Sequence, residues 1–200
     1  MADDEGPVFA AAPPERIELS HGRALVRWTA ERAASAAVSM NESLEHLQPW
    51  MAWAQEPATE AGLATFLAAG EQLWESRRDF GYSVLEGPDE RVIGGCGLHG
   101  RQGEHALEIG YWVHVDRIGF GIATGLARAL TDVAFEIPRI ERVHIQCDEQ
   151  NVRSARVPEK LGYTFLGVTV PDDGVWAGRA TQAWVIERDA WIAMRSKAAS

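Results

Sequence analysis

An apolar run at Ala106 to Val113 opens onto Arg117-Ile118-Gly119-Phe120-Gly121-Ile122-Ala123-Thr124, and an amphipathic stretch follows as far as Phe135. Ile122, Leu126, Leu130, Val133 and Ala134 recur at helical spacing, so Gly119 to Phe135 is predicted to be a helix, which Pro138 ends. A strand that feeds a helix through a two-glycine turn lays helix against sheet, and the chain is expected to be α/β. The turn is also a candidate anion site. The first helical N–H groups have no intrahelical partner, the helix dipole is positive there, and glycines admit a diphosphate close to the backbone. A dinucleotide-binding turn is the rival reading, but Gly125 comes too late to be its third glycine and the strands before the turn read as antiparallel. A tight turn serving only packing remains the alternative to both.

Upstream, Phe80 to Leu85, Val92 to Leu98 and Ala106 to Val113 alternate as strands, separated by Gly87-Pro88-Asp89 and by Gly100 to Gly103, which suggests an antiparallel meander. Arg23 to Trp28 reads as a strand, Glu31 to Met40 as a helix, and Thr59 to Arg77 as a helix capped by Thr59. Between these, Pro49 bends a segment bearing Trp50 and Trp53. Downstream, Val143 to Cys147 is a predicted strand, Val152 to Leu161 a short helix ended by Gly162, and Tyr163 to Val168 and Ala183 to Glu187 are the closing strands. At 200 residues and 46% hydrophobic content the chain suits one domain, assigned to 15–200, with a mixed sheet and helices on both faces. The first fourteen residues, rich in Asp, Glu, Ala and Pro, are expected to form a flexible tail.

The formal net charge of -10 disfavours a nucleic-acid partner and mildly favours cationic ones. No segment has the length or pattern of a leader or a membrane span, so a cytoplasmic protein with no membrane partner is expected. Cys96 and Cys147 each fall inside an apolar strand and read as buried free thiols; no further ligand lies at zinc-like spacing, and no metal is implied.

Three motifs stand in register: Glu108-Ile109-Gly110-Tyr111-Trp112-Val113-His114, then Gly119-x-Gly121-x-Ala123, then Asn151-x-x-Ser154-x-x-Val157-x-Glu159-Lys160-Leu161-Gly162-Tyr163. Together they resemble the GNAT superfamily of N-acyltransferases, and Leu47-x-Pro49-Trp50-Met51 resembles its branch that acetylates ribosomal-protein N-termini. The resemblance runs from about Arg23 to Glu187. It implies a mostly antiparallel mixed sheet splayed open at a coenzyme site, with acetyl-CoA as co-substrate. Trp112, Val113 and His114 would pair with the pantetheine amides. Arg117, Ile118, Gly119, Phe120, Gly121, Ile122, Ala123 and Thr124 would hold the pyrophosphate, and Asn151 and Ser154 would lie beside the thioester. The acceptor it implies is a primary amine, on a protein N-terminus or a small molecule; a homodimer is allowed.

The chain departs from this pattern at four positions. Asp116, Ile118 and Phe120 stand where the family often carries Gln, Arg or Lys, and Arg117 is the expected compensation. Pro158 stands where many members have the tyrosine that protonates the leaving thiolate, which leaves Ser154 for that role by resemblance to the N-terminal branch. Pro158 is also expected to kink or loosen its helix, and Ser154 has the alternative of bonding back to a helical carbonyl. A base is required because only a neutral amine attacks a thioester. Glu108 and Asp173 are the candidates, with Asp172 beside the latter, although Pro171-Asp172-Asp173-Gly174 also reads as a plain turn. Trp50, Trp53 and Trp176 are candidates to wall an acceptor pocket, or else core residues. An acyl-CoA-binding module that has lost its chemistry is the alternative function.

Overall fold

The computed structural model describes residues 6–198, and its sheet begins with a hairpin of β1 (Arg16–Leu19) and β2 (Arg23–Arg27) turned at His21 and Gly22, both at positive φ. Helices α1 (Ala33–Glu42) and α2 (Leu44–Leu47) lead into the Pro49 bend. The next helix, α3 (Glu60–Glu75), starts where Thr59 Oγ1 accepts the Gly62 N–H at 3.2 Å, the cap expected from the sequence. The meander follows as β3 (Asp79–Glu86), β4 (Arg91–His99) and β5 (Ala106–Val113). Then come α4 (Ile122–Glu136), β6 (Arg142–Asp148), α5 (Val152–Lys160), β7 (Thr164–Thr169), β8 (Thr181–Glu187) and α6 (Arg188–Ala198).

The eight strands form one sheet in the order β1-β2-β3-β4-β5-β6-β8-β7. Every neighbouring pair is antiparallel except β5 with β6. That parallel pair holds register only from Ala106↔Arg142 to Ile109↔Ile145. Beyond it both strands continue, β5 through Val113 and β6 through Asp148, without pairing to each other, so the sheet opens into the expected cleft.

Side chains alternate between the two faces along β5. Leu107 and Ile109 share a core with Leu126 and Leu130 of α4. Trp112, of opposite parity, packs instead with Leu47, Ala54, Leu85 and Val92. Helices therefore cover both faces.

Three expectations need correction. The expected tail is not loose where it is described: Phe9 is 3% exposed with its ring 6.0 Å from that of Phe80, and its N–H donates to Arg77 O at 2.9 Å. Arg77 Nη1 holds Ala10 O at 2.9 Å and Tyr82 OH holds Pro14 O at 2.8 Å, so this segment is strapped to the core; residues 1–5 lie outside the described residues. Two elements, β1 and α6, were not anticipated. Helix α6 docks through Trp191, whose Nε1 donates to Asp132 Oδ1 at 2.8 Å, and through Arg188, whose guanidinium donates to the carbonyls of Phe135 in the last turn of α4 and of Ile137 and Ile140 after it. Finally, α4 starts at Ile122 and not at Gly119, because Gly119 (φ 88°) and Gly121 (φ 75°) are left-handed.

Candidate active site

The turn after β5 offers an arc of free backbone donors. Its first helical bond runs from Gly125 N–H to Gly121 O at 2.9 Å, which leaves the N–H groups of Gly121, Ile122, Ala123 and Thr124 without helical partners. A Cβ on Gly119 or Gly121 would meet nothing within 4 Å, so their positive φ and not crowding requires glycine. A cleft of about 250 Å³ separates Phe120, Gly121, Ile122 and Gly125 from the β1–β2 hairpin residues Leu19, His21 and Arg23. Donors, helix dipole and space fit a pyrophosphate.

Arg117, the expected compensation, is already engaged within the protein. Its N–H donates to His114 O at 2.8 Å, and its Nε donates to Glu86 Oε2 at 2.7 Å. Glu86 also receives Arg23 Nε at 2.8 Å, and the hydrogen bond from Arg117, ahead of that from Arg23, holds this carboxyl below its ordinary range. The Ile118 N–H is likewise taken by Val115 O at 3.4 Å. The free backbone donors of the turn thus begin after Ile118. The hairpin's His21 and Arg23, which line the cleft, carried no local sequence signal for such a place.

Backbone parity bears on the residues expected at the pantetheine. His114 N–H donates to Ile93 O at 2.8 Å and its carbonyl accepts from Arg117, so both of its backbone groups are already engaged. Its ring is spent as well: Nδ1 accepts the Asp116 N–H at 3.1 Å, so Nε2 donates to Glu42 at 2.9 Å. Trp112, two residues earlier, turns its backbone to β4 in the same way, while Tyr111 and Val113 direct theirs into the cleft. Of the residues expected at the pantetheine, Val113 therefore has its backbone groups turned to the cleft, as does Tyr111, while those of Trp112 and His114 are turned to β4.

Ser154 sits against the cleft from α5. Asn151 Oδ1 caps that helix by accepting the Ser154 N–H at 3.1 Å. The Ser154 hydroxyl does not bond back to a helical carbonyl; it pairs with Tyr111 OH at 2.8 Å. Tyr111 OH also donates to Ser154 O at 3.3 Å. This carbonyl lacks a helical donor because Pro158, four residues on, has no N–H. Helix α5 runs unbroken through Pro158, and the phenol supplies what the proline removes. Burial raises the Tyr111 phenol well above its usual range, so it stays protonated. Across the cleft, burial pushes the Cys147 thiol up to about 11, with a Ser154 hydrogen bond pulling the other way. Both cysteines are buried and free.

The two candidate bases are placed differently. Glu108 is 2% exposed and lies where β5 is still paired to β6. Its Oε2 accepts Gln102 Nε2 at 2.8 Å and its Oε1 accepts Arg101 Nη1 at 3.2 Å, so both oxygens are engaged. Asp173 and Asp172 are exposed on the loop before β8, and Asp173 caps nothing with its side chain. That loop is tied down by Arg179, whose Nη2 donates to Pro49 O and Asp148 Oδ2, each at 2.8 Å, and whose Nη1 donates to Trp50 O at 3.3 Å. Arg179 thereby holds the backbone of half-buried Trp50 beside the loop that carries half-buried Trp176, whose Nε1 is buried without a partner. Trp53 is 52% exposed and meets Trp112 edge-on with centroids 6.3 Å apart. Among the described residues no group of three His, Cys, Asp or Glu could hold a metal, and no helix is long and apolar enough to cross a membrane.

A family model described as an acetyltransferase (GNAT) domain matches residues 23–164. "Putative ribosomal N-acetyltransferase YdaF" of Bacillus subtilis (strain 168) is 28% identical over 140 residues, 69% of this chain and 74% of that protein. Among solved structures, the ribosomal L7/L12 alpha-N-protein acetyltransferase RimL, in complex with coenzyme A, superposes with a TM-score of 0.78 at 18% identity, covering 88% of this chain and 99% of that one. The microcin C7 self-immunity acetyltransferase MccE, in complex with acetyl-CoA and AMP, gives 0.77 at 17% identity, covering 87% and 97%.

Proposed function

Because the chain belongs to the acetyltransferase (GNAT) domain family, we propose that it moves an acetyl group from acetyl-CoA directly to a primary amine. The observation that carries the reading is the loss of β5–β6 pairing after Ile109, beside the free N–H groups at the start of α4. Bound acetyl-CoA supplies the activated thioester. Val113 and Tyr111 offer the pantetheine a strand edge, and Gly121, Ile122, Ala123 and Thr124 offer the pyrophosphate their N–H groups. Ser154, held by Tyr111, presents a hydroxyl that can donate to the departing sulfur without ionising.

The acceptor approaches on the face of Trp112, between Trp53 and the Trp50–Trp176 end. Aromatic faces and a chain of net charge -10 suit a cationic amine. The likeness to YdaF and RimL favours a protein N-terminus over a small-molecule amine. Two unpaired cysteines suit a reducing compartment, and the reading places the enzyme in the cytoplasm.

The test is thermal stabilisation by CoA followed by thiol release from acetyl-CoA over a panel of N-terminal peptides and small amines. Stabilisation with turnover on a peptide is expected. Stabilisation without turnover on any amine would favour a binding module, and no stabilisation would sink the coenzyme assignment.

A further inference from the structure

With Glu108 engaged and Asp173 exposed, His99 on the acceptor face is placed to receive a proton. His99, at the end of β4, pairs with Asp79 of β3 in register and with Glu108 of β5, so all three stand on one face. His99 Nδ1 lies 2.7 Å from Asp79 Oδ2. A carboxylate at Nδ1 keeps the proton on that nitrogen and leaves Nε2 as an acceptor. Among the described residues no hydrogen bond is formed to Nε2.

The ring's position is fixed by glycines. A Cβ on Gly97 would lie 2.8 Å from His99 Cε1, and one on Gly110 would lie 3.0 Å from His99 Nε2. The imidazole therefore lies flat over Gly97 and Gly110, which are themselves paired across β4 and β5. Gly110 is the first residue of β5 past its last pairing with β6. Nε2 is thus delivered to the apex of the cleft, on the Trp112 face, opposite the face from which Ser154 works.

We propose that His99, oriented by Asp79, accepts the proton that the amine gives up. The inference rests on the acetyl-transfer reading, since it needs a thioester at the apex. The acceptor arrives as an ammonium ion and gives its first proton to His99 Nε2, which passes it on to solvent. The neutral nitrogen forms a C–N bond to the thioester carbon while a second proton passes to His99 Nε2. The C–S bond breaks, and the thiolate takes a proton from the Ser154 hydroxyl, which regains one through Tyr111 or solvent. His99 returns its proton to solvent, and the products are an N-acetyl amide and CoA thiol. The charged and titratable groups that face His99 are Asp79 from β3, Glu108 with its Arg101 partner, and His144 of β6, whose proton affinity burial depresses.

Nitrogen-15 spectra of the histidine side chains during titration of the whole protein with acetyl-CoA test this without an acceptor. The His99 Nε2 resonance, assigned by its loss in His99→Gln, is expected to shift on binding. Stabilisation by acetyl-CoA with an unmoved His99 resonance would overturn the inference and leave the acetyl-transfer reading standing; no stabilisation would remove both. Kinetics with acetyl-CoA and an alanine-initiated peptide add a second readout. At neutral pH, His99→Gln is expected to lower kcat about 100-fold with the KM for acetyl-CoA unchanged. The deficit should narrow as pH rises toward the pKa of the peptide amine. Asp79→Asn is expected to lower kcat about tenfold and to shift the same pH profile. A deficit that is constant with pH would mean that His99 serves packing, and would refute the proposal.

Discussion

Replacing Tyr111 by Phe removes the one hydroxyl that serves both oxygens of Ser154. Tyr111 OH lies 2.8 Å from Ser154 Oγ and 3.3 Å from Ser154 O, and Pro158 denies that carbonyl its helical donor. Leaving a buried polar atom unpaired costs about 1–3 kcal/mol. For a chain of this length each kcal/mol lowers Tm by about 2–4 °C, so a central cost of about 2 kcal/mol means a fall of about 4–8 °C. Pro158→Ala restores a backbone N–H to Ser154 O, and on that background Tyr111→Phe should cost about 1 kcal/mol less. The hydroxyl's loss is not repaired by the same change. Turnover should therefore fall about tenfold with Tyr111→Phe on both backgrounds. Thermal denaturation and thiol-release kinetics on the four proteins of the cycle read both effects. Stability costs additive within about 0.5 kcal/mol would refute the coupling of Pro158 to Tyr111, and unchanged turnover would remove Tyr111 from the handling of Ser154.

Gly121→Ala places a β-carbon at φ 75° where nothing lies within 4 Å, so its stability cost is backbone strain alone, about 1–2 kcal/mol; calorimetry should show weaker CoA binding as well. Glu86→Gln tests the arginine tether. The folded carboxyl of Glu86 sits below its ordinary value of 4.5, so its stabilisation is fully present above that pH and is lost as pH falls through the lower folded value. The gap between wild type and variant should accordingly be open at neutral pH and close in acid, as measured by denaturant melts across pH. Arg179→Ala frees the loop before β8 from Pro49, Trp50 and Asp148, and should raise the KM for the amine about tenfold while leaving that for acetyl-CoA unchanged.

The elements that the sequence disclosed are those whose pattern is local. The apolar stripe of α4, the Thr59 cap of α3 and the glycine turns of the meander all appear where periodicity and turn chemistry put them. Strand β1 escaped because its four residues, Arg-Ile-Glu-Leu, alternate only between half-buried and exposed, and α6 because it follows β8 without a turn. Phe9 lies in a segment whose composition is that of a tail, and one aromatic contact with Phe80 decides otherwise. In the site, the turn and Ser154 were legible as motifs. The partners that revise their roles come from other elements: Glu86 takes Arg117, Gln102 and Arg101 take Glu108, and Tyr111 reaches Ser154 across 43 positions. His99 carries no motif at all, and its place depends on Gly97, Gly110 and Asp79 meeting across three strands.

The central claim is that acetyl-CoA lies in the opening between β5 and β6 with its phosphates at the start of α4. Residue-resolved amide hydrogen exchange with and without acetyl-CoA tests it most directly. The account predicts added protection at Tyr111, Val113 and Gly121 to Thr124, with none at His114, whose N–H is already bonded to Ile93. Protection at His114 with Tyr111 and Val113 unchanged, or protection confined to residues away from the cleft, would contradict it.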